Sequence, residues 1–338
     1  MIEIQSGPEA IRRAVSLLRA GELVAFPTET VYGLGADAGN PGAVAGIFAA
    51  KGRPQDHPLI VHVADPGAVG VWTADVPPLA ERLMAEFWPG PLTLILRRSA
   101  RVGDGVSGGQ DTVGLRCPAH PLARALLAAA RDAGIAGLAA PSANRFGRIS
   151  PTSAADVAAE LGTRVALILD GGRCEVGIES TIVDVTGDVP RLLRPGMIDA
   201  DRLAAAAGRA LAAGGADAPR VSGSLPAHYA PSTVLDLVPD AELVDRAMTR
   251  LGRGESLAVF ASAASVAILM SRKEGMEEPC YGVAAPASAA EYAHELYATL
   301  RQLDALRVSR LIIAEPPDGP EWTAVRDRLA RAAHGAGH

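Results

Sequence analysis

Residues 23–35 read LVAFPTETVYGLG: a short apolar run ends at Pro27 and passes into hydroxyls, a carboxylate and two glycines. The run is bounded by Gly21 and Pro27 and predicts a strand over 23–27. Before it, Ile11, Val15 and Leu18 recur at helical spacing, and Gly21 closes a helix over 8–20. A helix feeding a strand that ends in polar residues is a unit of α/β architecture. Working outward, further apolar runs at 59–63, 92–96, 112–116, 137–140, 165–169 and 181–185 are each bounded by Gly, Pro or Asp. Helical stretches at 121–133 and 153–161 lie between them. The first part is therefore an α/β domain with a mixed sheet.

Residues 204–218 are rich in Ala and Gly and helix-like, and 219–231, PRVSGSLPAHYAP, has three prolines and little periodicity. That segment is the linker candidate. Beyond it the pattern is regular: strand 234–238, helix 241–251, strand 257–261, a helix, strand 280–284, helix 289–306, strand 310–315 and a final helix. This predicts a smaller doubly wound, Rossmann-like domain with a parallel sheet. The expected boundaries are 1–213, a linker over 214–231, and 232–338. No G-x-G-x-x-G follows any of the second domain's strands, so a dinucleotide site is not supported.

With 338 residues, both domains can bury a core, and with aromatics at 4% that core is built from aliphatic side chains. The formal net charge of -6 argues against a protein that coats nucleic acid or an anionic membrane over its whole surface. Arginine outnumbers lysine 30 to 2, so the two lysines, Lys51 and Lys273, stand out. Cys117, Cys174 and Cys280 are far apart, with no CxxC pair, which indicates neither zinc nor a disulfide framework. No signal peptide or membrane span is indicated, and a reducing cytoplasm fits.

Several segments carry polar chemistry at strand or helix ends. FPTETVYGLG, 26–35, reads as a plain turn or as a ligand loop. Lys51, Gly52, Arg53 and Pro54 follow the helix around Ile47 and Phe48; a cation there favours the macrodipole, and an ammonium beside a guanidinium fork also suits a triphosphate. His62 lies opposite Leu59, Val61 and Val63 on its strand, as a structural or a functional histidine. TVGLRCP, 112–118, sets Arg116 at the end of an apolar strand, where it is either solvated or paired to a substrate carboxylate. PSAN, 141–144, Ser180 with Thr181, and Arg194 with Pro195 and Gly196 add more hydroxyls and cations at strand ends. There is no Walker A sequence and no triad order. The residues alone read as an anion-binding α/β domain that handles nucleotides.

The ordered set FPTETVYGLG, KGRP, DTVGLRCP, PSAN, ESTIVD and LLRPG resembles the YrdC-like family of L-threonylcarbamoyladenylate synthases, over residues 4 to about 213. HYAP at 228–231 and the domain after it resemble the family's long two-domain form. The resemblance implies a twisted sheet with a deep, locally positive cavity in the first domain, and synthesis of L-threonylcarbamoyl-AMP and pyrophosphate from L-threonine, bicarbonate and ATP. The product passes to a tRNA threonylcarbamoyl transferase that modifies an adenosine in tRNA. Thr30, His62, Arg116 and Ser180 match positions that hold threonine. Arg53, His57, Thr112, Ser142, Asn144, Ser150 and Arg194 match positions around ATP, with Lys51 beside the phosphates, and Tyr229 or its neighbour His228 joins them from the linker, which would act as a lid. His57 stands where the family often has Asn. Lys51 and Arg53 are the expected catalytic cations, with Mg²⁺ accompanying ATP and no protein-bound zinc.

Two other readings compete. An RNA-binding module without catalysis would hold RNA in the deep, locally positive cavity that the resemblance implies for the first domain, yet residues 1–218 carry 20 basic and 23 acidic side chains, a net of -3. Direct tRNA contact is therefore a weak expectation. A carbamoyltransferase of the hydrogenase-maturation type contains a similar domain but resembles longer chains with paired-cysteine zinc motifs.

Overall fold

The structure is a computed structural model that describes residues 3–215 and 217–337. It divides into two compact units: Met1–Phe146 with Ser150–Ser224, and Gly147–Ile149 with Leu225–His338.

The first unit is built on β1 Ile4–Gln5, β2 Val24–Phe26, β3 Gly33–Asp37, β4 Ile60–His62, β5 Leu92–Arg97, β6 Thr112–Arg116, β7 Leu138–Ala139, β8 Leu167–Leu169, β9 Thr181–Asp184, β10 Arg191–Arg194 and β11 Ala212–Ala213. They form one mixed sheet in the order β1-β8-β2-β3-β7-β4-β6-β5-β9-β10-β11. Strand alternation supplies both faces with core. Val24 and Phe26 pack with Leu18 of helix Gly7–Arg19 and Leu126 of helix Pro121–Asp132. Ala25, between them, packs with Val44, Ile47 and Phe48 of helix Pro41–Lys51.

That last helix delivers the KGRP segment. Asn40 caps it by accepting from the backbone N–H of Gly42 and Ala43, and Pro41 occupies its first turn, where a missing donor costs nothing. Gly52, left-handed at φ 62°, ends it and turns the chain so that Arg53 leaves in a new direction.

Two expectations change. The glycines of FPTETVYGLG are strand residues: β3 runs antiparallel to β2 through Val24↔Gly35 and Phe26↔Gly33. A Cβ on Gly35 would stand 2.8 Å from a ring carbon of Phe26, so that ring occupies the space a side chain needs. The helix-like stretch 204–218 is also shorter than expected, because helix Ala200–Ala207 stops at left-handed Gly208 and β11 follows. Ala216, within that stretch, lies outside the described residues.

The second unit holds β12 Leu235–Val238, β13 Leu257–Ala261, β14 Cys280–Ala284 and β15 Arg310–Ala314, all parallel, in the order β12-β15-β13-β14. Helices Asp240–Leu251 and Ala263–Arg272 bury Leu243, Ala247 and Leu269 against one face of this sheet. Helix Ala289–Ala305 buries Tyr292, Leu296, Leu300 and Leu303, the stripe its spacing predicts. Among the described residues no helix is long and apolar enough to cross a membrane.

The proline-rich segment is not loose over its first half. Val221 packs with Ile95 and Ile182, and Arg220 exchanges hydrogen bonds with Gln110 and donates to Gly108 O.

Candidate functional site

Alternation along β6 puts Thr112, Gly114 and Arg116 on one face of the sheet. Ile60 stands beside Gly114 and His62 beside Arg116 on β4, while Ile95 on β5 pairs with Gly114 and Thr93 with Ile182 on β9. A Cβ on Gly114 would meet the side chains of Ile95, Ile60 and Thr93 at 3.3 to 3.5 Å. Gly114 thus makes the low centre of a floor. Arg116 and His62 mark one end of it and Thr112 the other.

At the Arg116 end the contacts are dense and buried. Arg116 is 4% exposed; its Nη1 donates to Thr30 Oγ1 at 2.8 Å and its Nε to Gly90 O at 3.3 Å. Its Nη2 lies 2.7 Å from Glu29 Oε1, a charge contact rather than an aligned hydrogen bond. The other oxygen of Glu29 accepts from the N–H of Ala119 at 3.0 Å. Thr30 is fixed in turn by Thr28, hydroxyl to hydroxyl at 2.8 Å. A guanidinium buried with one carboxylate and several neutral partners is held at a defined angle, which is what recognition of a small carboxylate requires.

His62 is 3% exposed and edge-on to Phe26, with its Nδ1 buried and without a hydrogen-bond partner among the described residues. Burial, reinforced by the Arg116 charge, pushes its pKa down to about 3. The imidazole is therefore neutral throughout the physiological range. In the native state it binds no proton above about pH 3, whereas the unfolded chain takes one below about 6.5. Stability should consequently fall as pH drops from 6.5 toward 3, at up to about 1.4 kcal/mol per pH unit from this group. Denaturant titrations of wild type and His62→Gln across that window check this: the slope should flatten in the variant, and an unchanged slope would remove His62 from the account.

Ser180 opens β9. Its hydroxyl stands 2.8 Å from Thr93 Oγ1, and Arg194 reaches its carbonyl from Nε at 3.0 Å and Nη2 at 2.9 Å, with Nη2 also 3.1 Å from its hydroxyl. Arg194 Nη1 donates to Ser222 O at 2.8 Å. Arg53 Nη2 donates to Pro58 O at 3.0 Å and comes within 3.5 Å of Ser222 Oγ, so Ser222 lies between the two arginines.

Lys51 is 3% exposed, and its Nζ donates to the carbonyls of Ser142 and Asn144. The N–H of Phe146 returns a bond to Lys51 O at 2.9 Å. The ammonium therefore ties the end of helix Pro41–Lys51 to the PSAN loop. Burial, with the Arg53 charge second, holds its pKa well below the usual lysine value. Phe146 gathers the rest of the group, with the His57 ring edge-on at 5.3 Å and the Arg53 guanidinium over its face at 5.8 Å. Burial and the Arg53 charge lower the pKa of His57 as well. Ser150 donates to Glu179 Oε1 at 2.6 Å. Tyr229 belongs to the second unit, where it stacks on Tyr297 at 5.7 Å.

Of the residues singled out in the sequence, Thr30 joins Arg116 directly, His62 is its register neighbour, Ser180 joins Arg194, and Lys51 joins Ser142 and Asn144. Thr112 sits four residues from Arg116 on the same strand, at the floor's far end. The buried carboxylates Glu29 and Glu179 and the hydroxyl of Thr93 were not singled out. Glu29 is visible in FPTETVYGLG and Glu179 in ESTIVD, but nothing in their spacing tells which cation or hydroxyl each will meet. Among the described residues no group of three or more His, Cys, Asp and Glu is placed to hold a metal ion.

Comparison with known proteins gives the site its chemical context. Residues 16–196 match the Sua5/YciO/YrdC family model, described as telomere recombination, and residues 196–334 match the C-terminal domain of threonylcarbamoyl-AMP synthase. The chain is 39% identical to a threonylcarbamoyl-AMP synthase of Bacillus subtilis over 98% of its own length and 95% of that protein. It is 37% identical to one from Pyrococcus abyssi over 96% of this chain and 94% of that one. The solved structure of Pyrococcus abyssi Sua5 complexed with L-threonine superposes with a TM-score of 0.87 at 33% identity, covering 99% of this chain and 98% of the other.

Proposed function

The chain belongs to the Sua5/YrdC family of threonylcarbamoyl-AMP synthases, and from that premise we infer how its residues carry out the reaction. It is an enzyme, a transferase of tRNA modification that makes threonylcarbamoyl-AMP. Relatives that are synthases over nearly the whole chain favour catalysis over an RNA-binding module.

The α-amine of L-threonine takes up carbon dioxide, supplied as bicarbonate, and loses a proton to give a carbamate. A carbamate oxygen then attacks the α-phosphorus of ATP, the bond from that phosphorus to the oxygen bridging it to the β-phosphate breaks, and pyrophosphate leaves. The nucleophile and the leaving group are both supplied by the substrates, so the protein's work is orientation, charge neutralisation and exclusion of water.

The observation that carries this reading is the Arg116 end of the floor. A buried guanidinium, a neutral His62 whose Nδ1 has no hydrogen-bond partner among the described residues, and the hydroxyls of Thr30 and Ser180 meet the needs of a zwitterion with a carboxylate, a hydroxyl and an amine that must be uncharged to react. We assign L-threonine to these four. We assign ATP to Lys51, Arg53, His57, Thr112, Ser142, Asn144, Ser150 and Arg194, with Tyr229 from the linker. In this reading residues 1–213 form the catalytic domain, 214–231 the linker and 232–338 the C-terminal domain. Mg²⁺ would accompany the triphosphate and offset part of its charge, beside Lys51, Arg53 and Arg194, and the product would go on to a tRNA threonylcarbamoyl transferase.

The test is a pyrophosphate-release assay with ATP, Mg²⁺ and bicarbonate. Release should require L-threonine and yield an adenylate that decays by hydrolysis. Release that is indifferent to threonine, or tRNA retention with no turnover, would overturn the reading.

A further inference from the structure

We propose that Thr93 is a positioning residue for the synthase reaction, turning the Ser180 hydroxyl into a fixed donor to L-threonine; this rests on the assignment of Ser180 to that substrate. Thr93 lies on β5 among the residues of the floor. Leu94, the next residue, pairs with Leu115, the residue before Arg116, and Thr93 itself pairs with Ile182 on β9. Thr93 has no exposed surface, and Ser180 is 1% exposed. Strands favour a β-branched residue, and Val would fill the same volume. The hydroxyl is what needs a reason, because a hydroxyl taken out of water is costly unless it is hydrogen-bonded.

The partners of Ser180 set the direction of that bond. Arg194 Nη2 stands 3.1 Å from Ser180 Oγ, and a guanidinium carries donors only, so Ser180 accepts. Thr93 Oγ1, 2.8 Å away, is the one other hydrogen-bond partner of Ser180 Oγ among the described residues, and Ser180 is in turn the one partner of Thr93 Oγ1. Were Ser180 to donate to Thr93, the Thr93 hydrogen would be left in the core without an acceptor, with substrate bound or not. When Thr93 donates, its hydrogen is met and both lone pairs of Ser180 are filled. The Ser180 hydrogen is then the one left over, and it serves an acceptor from outside the chain.

L-threonine brings such acceptors in its carboxylate and hydroxyl oxygens. Arg194 holds the backbone carbonyl of Ser180 separately, from Nε at 3.0 Å and Nη2 at 2.9 Å, so the main chain is fixed without help from the hydroxyl. What remains to be set is the rotation of one O–H bond, and Thr93 sets it. A hydroxyl whose lone pairs are both occupied presents a single donor direction, which spares the cost of ordering it when substrate binds.

The test uses the full-length protein, with L-threonine and ATP affinities measured separately by calorimetry and folding followed by thermal melts. Ser180→Ala should weaken threonine binding about tenfold and Thr93→Val about fivefold, each leaving ATP binding within about twofold, and the double variant should be no weaker for threonine than Ser180→Ala alone. Thr93→Ser, which keeps the hydroxyl and loses the methyl, should bind threonine within about twofold of wild type. A residue that only packs would show the reverse order, with Val tolerated and Ser impaired, and that result overturns the proposal. So does a loss in Thr93→Val that is equal for the two ligands or that adds to the loss of Ser180→Ala. Threonine binding unchanged in Thr93→Val but weakened in Ser180→Ala also overturns it, whereas threonine binding unchanged in Ser180→Ala overturns the underlying assignment first. If Thr93→Val melts below the assay temperature, Thr93→Ala replaces it beside Thr93→Ser; those two differ only in the hydroxyl, and equal threonine affinities would sink the proposal.

Discussion

Lys51→Ala and Arg53→Ala should each lower adenylate formation by at least about 10²-fold, equivalent to roughly 3 kcal/mol of transition-state stabilisation, in proteins that still fold. The phosphates of ATP gain charge on the leaving pyrophosphate as the bond to the α-phosphorus breaks, and these two side chains are the cations of the KGRP segment. Lys51 is 3% exposed and Arg53 7%, so neither charge is much screened by water. Their structural contacts differ, and this separates the two outcomes. Removing Lys51 leaves the carbonyls of Ser142 and Asn144 without its ammonium, at a cost of order 1–3 kcal/mol for each buried acceptor that no water reaches. Removing Arg53 gives up a bond to Pro58 O and the stacking on Phe146. A domain stability of about 5–15 kcal/mol tolerates either loss. Lys51→Ala should therefore melt lower than Arg53→Ala while both lose turnover by similar factors. Near-normal turnover in a well-folded double variant would take both residues out of the phosphate site.

Much of this fold is legible from apolar runs and their punctuation. The parallel second sheet is the clearest case, since each of its strands is a four- or five-residue stretch such as LAVFA, 257–261, followed by an N-capping Ser or a Pro and then a helix. Gly33–Asp37 was not legible as a strand. Glycine is a poor strand former, and only the Phe26 ring, contributed by the neighbouring strand, explains why glycine is needed at position 35. The candidate site divides in the same way. Arg116, Lys51 and Ser180 are visible because each follows or precedes an apolar run at a strand or helix end. Their partners are not visible. Thr30 lies 86 residues from Arg116, and Thr93 lies 87 from Ser180. No local pattern encodes a pairing across that distance; it is set by sheet order, and the β4-β6-β5-β9 neighbourhood brings together strands that are not consecutive in the chain.

Arg116→Lys should weaken L-threonine binding by at least about tenfold, near 1.4 kcal/mol, and change ATP binding by less than about twofold. The guanidinium spends its donors in three directions at once: Nη1 on Thr30 Oγ1, Nη2 toward Glu29 Oε1 and Nε on Gly90 O. An ammonium on a flexible stem is a point charge that cannot hold Thr30, Glu29 and a substrate carboxylate in one plane, so it keeps the charge and loses the angle. Glu29 makes the comparison sharper. With side chains 5% and 6% exposed, Arg116 and Glu29 form a buried pair, and taking away the cation altogether leaves an uncompensated carboxylate, at about 3–5 kcal/mol of stability. Arg116→Met should therefore melt far lower than Arg116→Lys, and Glu29→Gln should restore part of the stability to the Met variant without restoring threonine binding. Calorimetry with each ligand on Arg116→Lys decides the matter. A loss confined to threonine places Arg116 on the amino-acid carboxylate, whereas equal losses for threonine and ATP would mean that its role is to hold Thr30 and Glu29 in the fold.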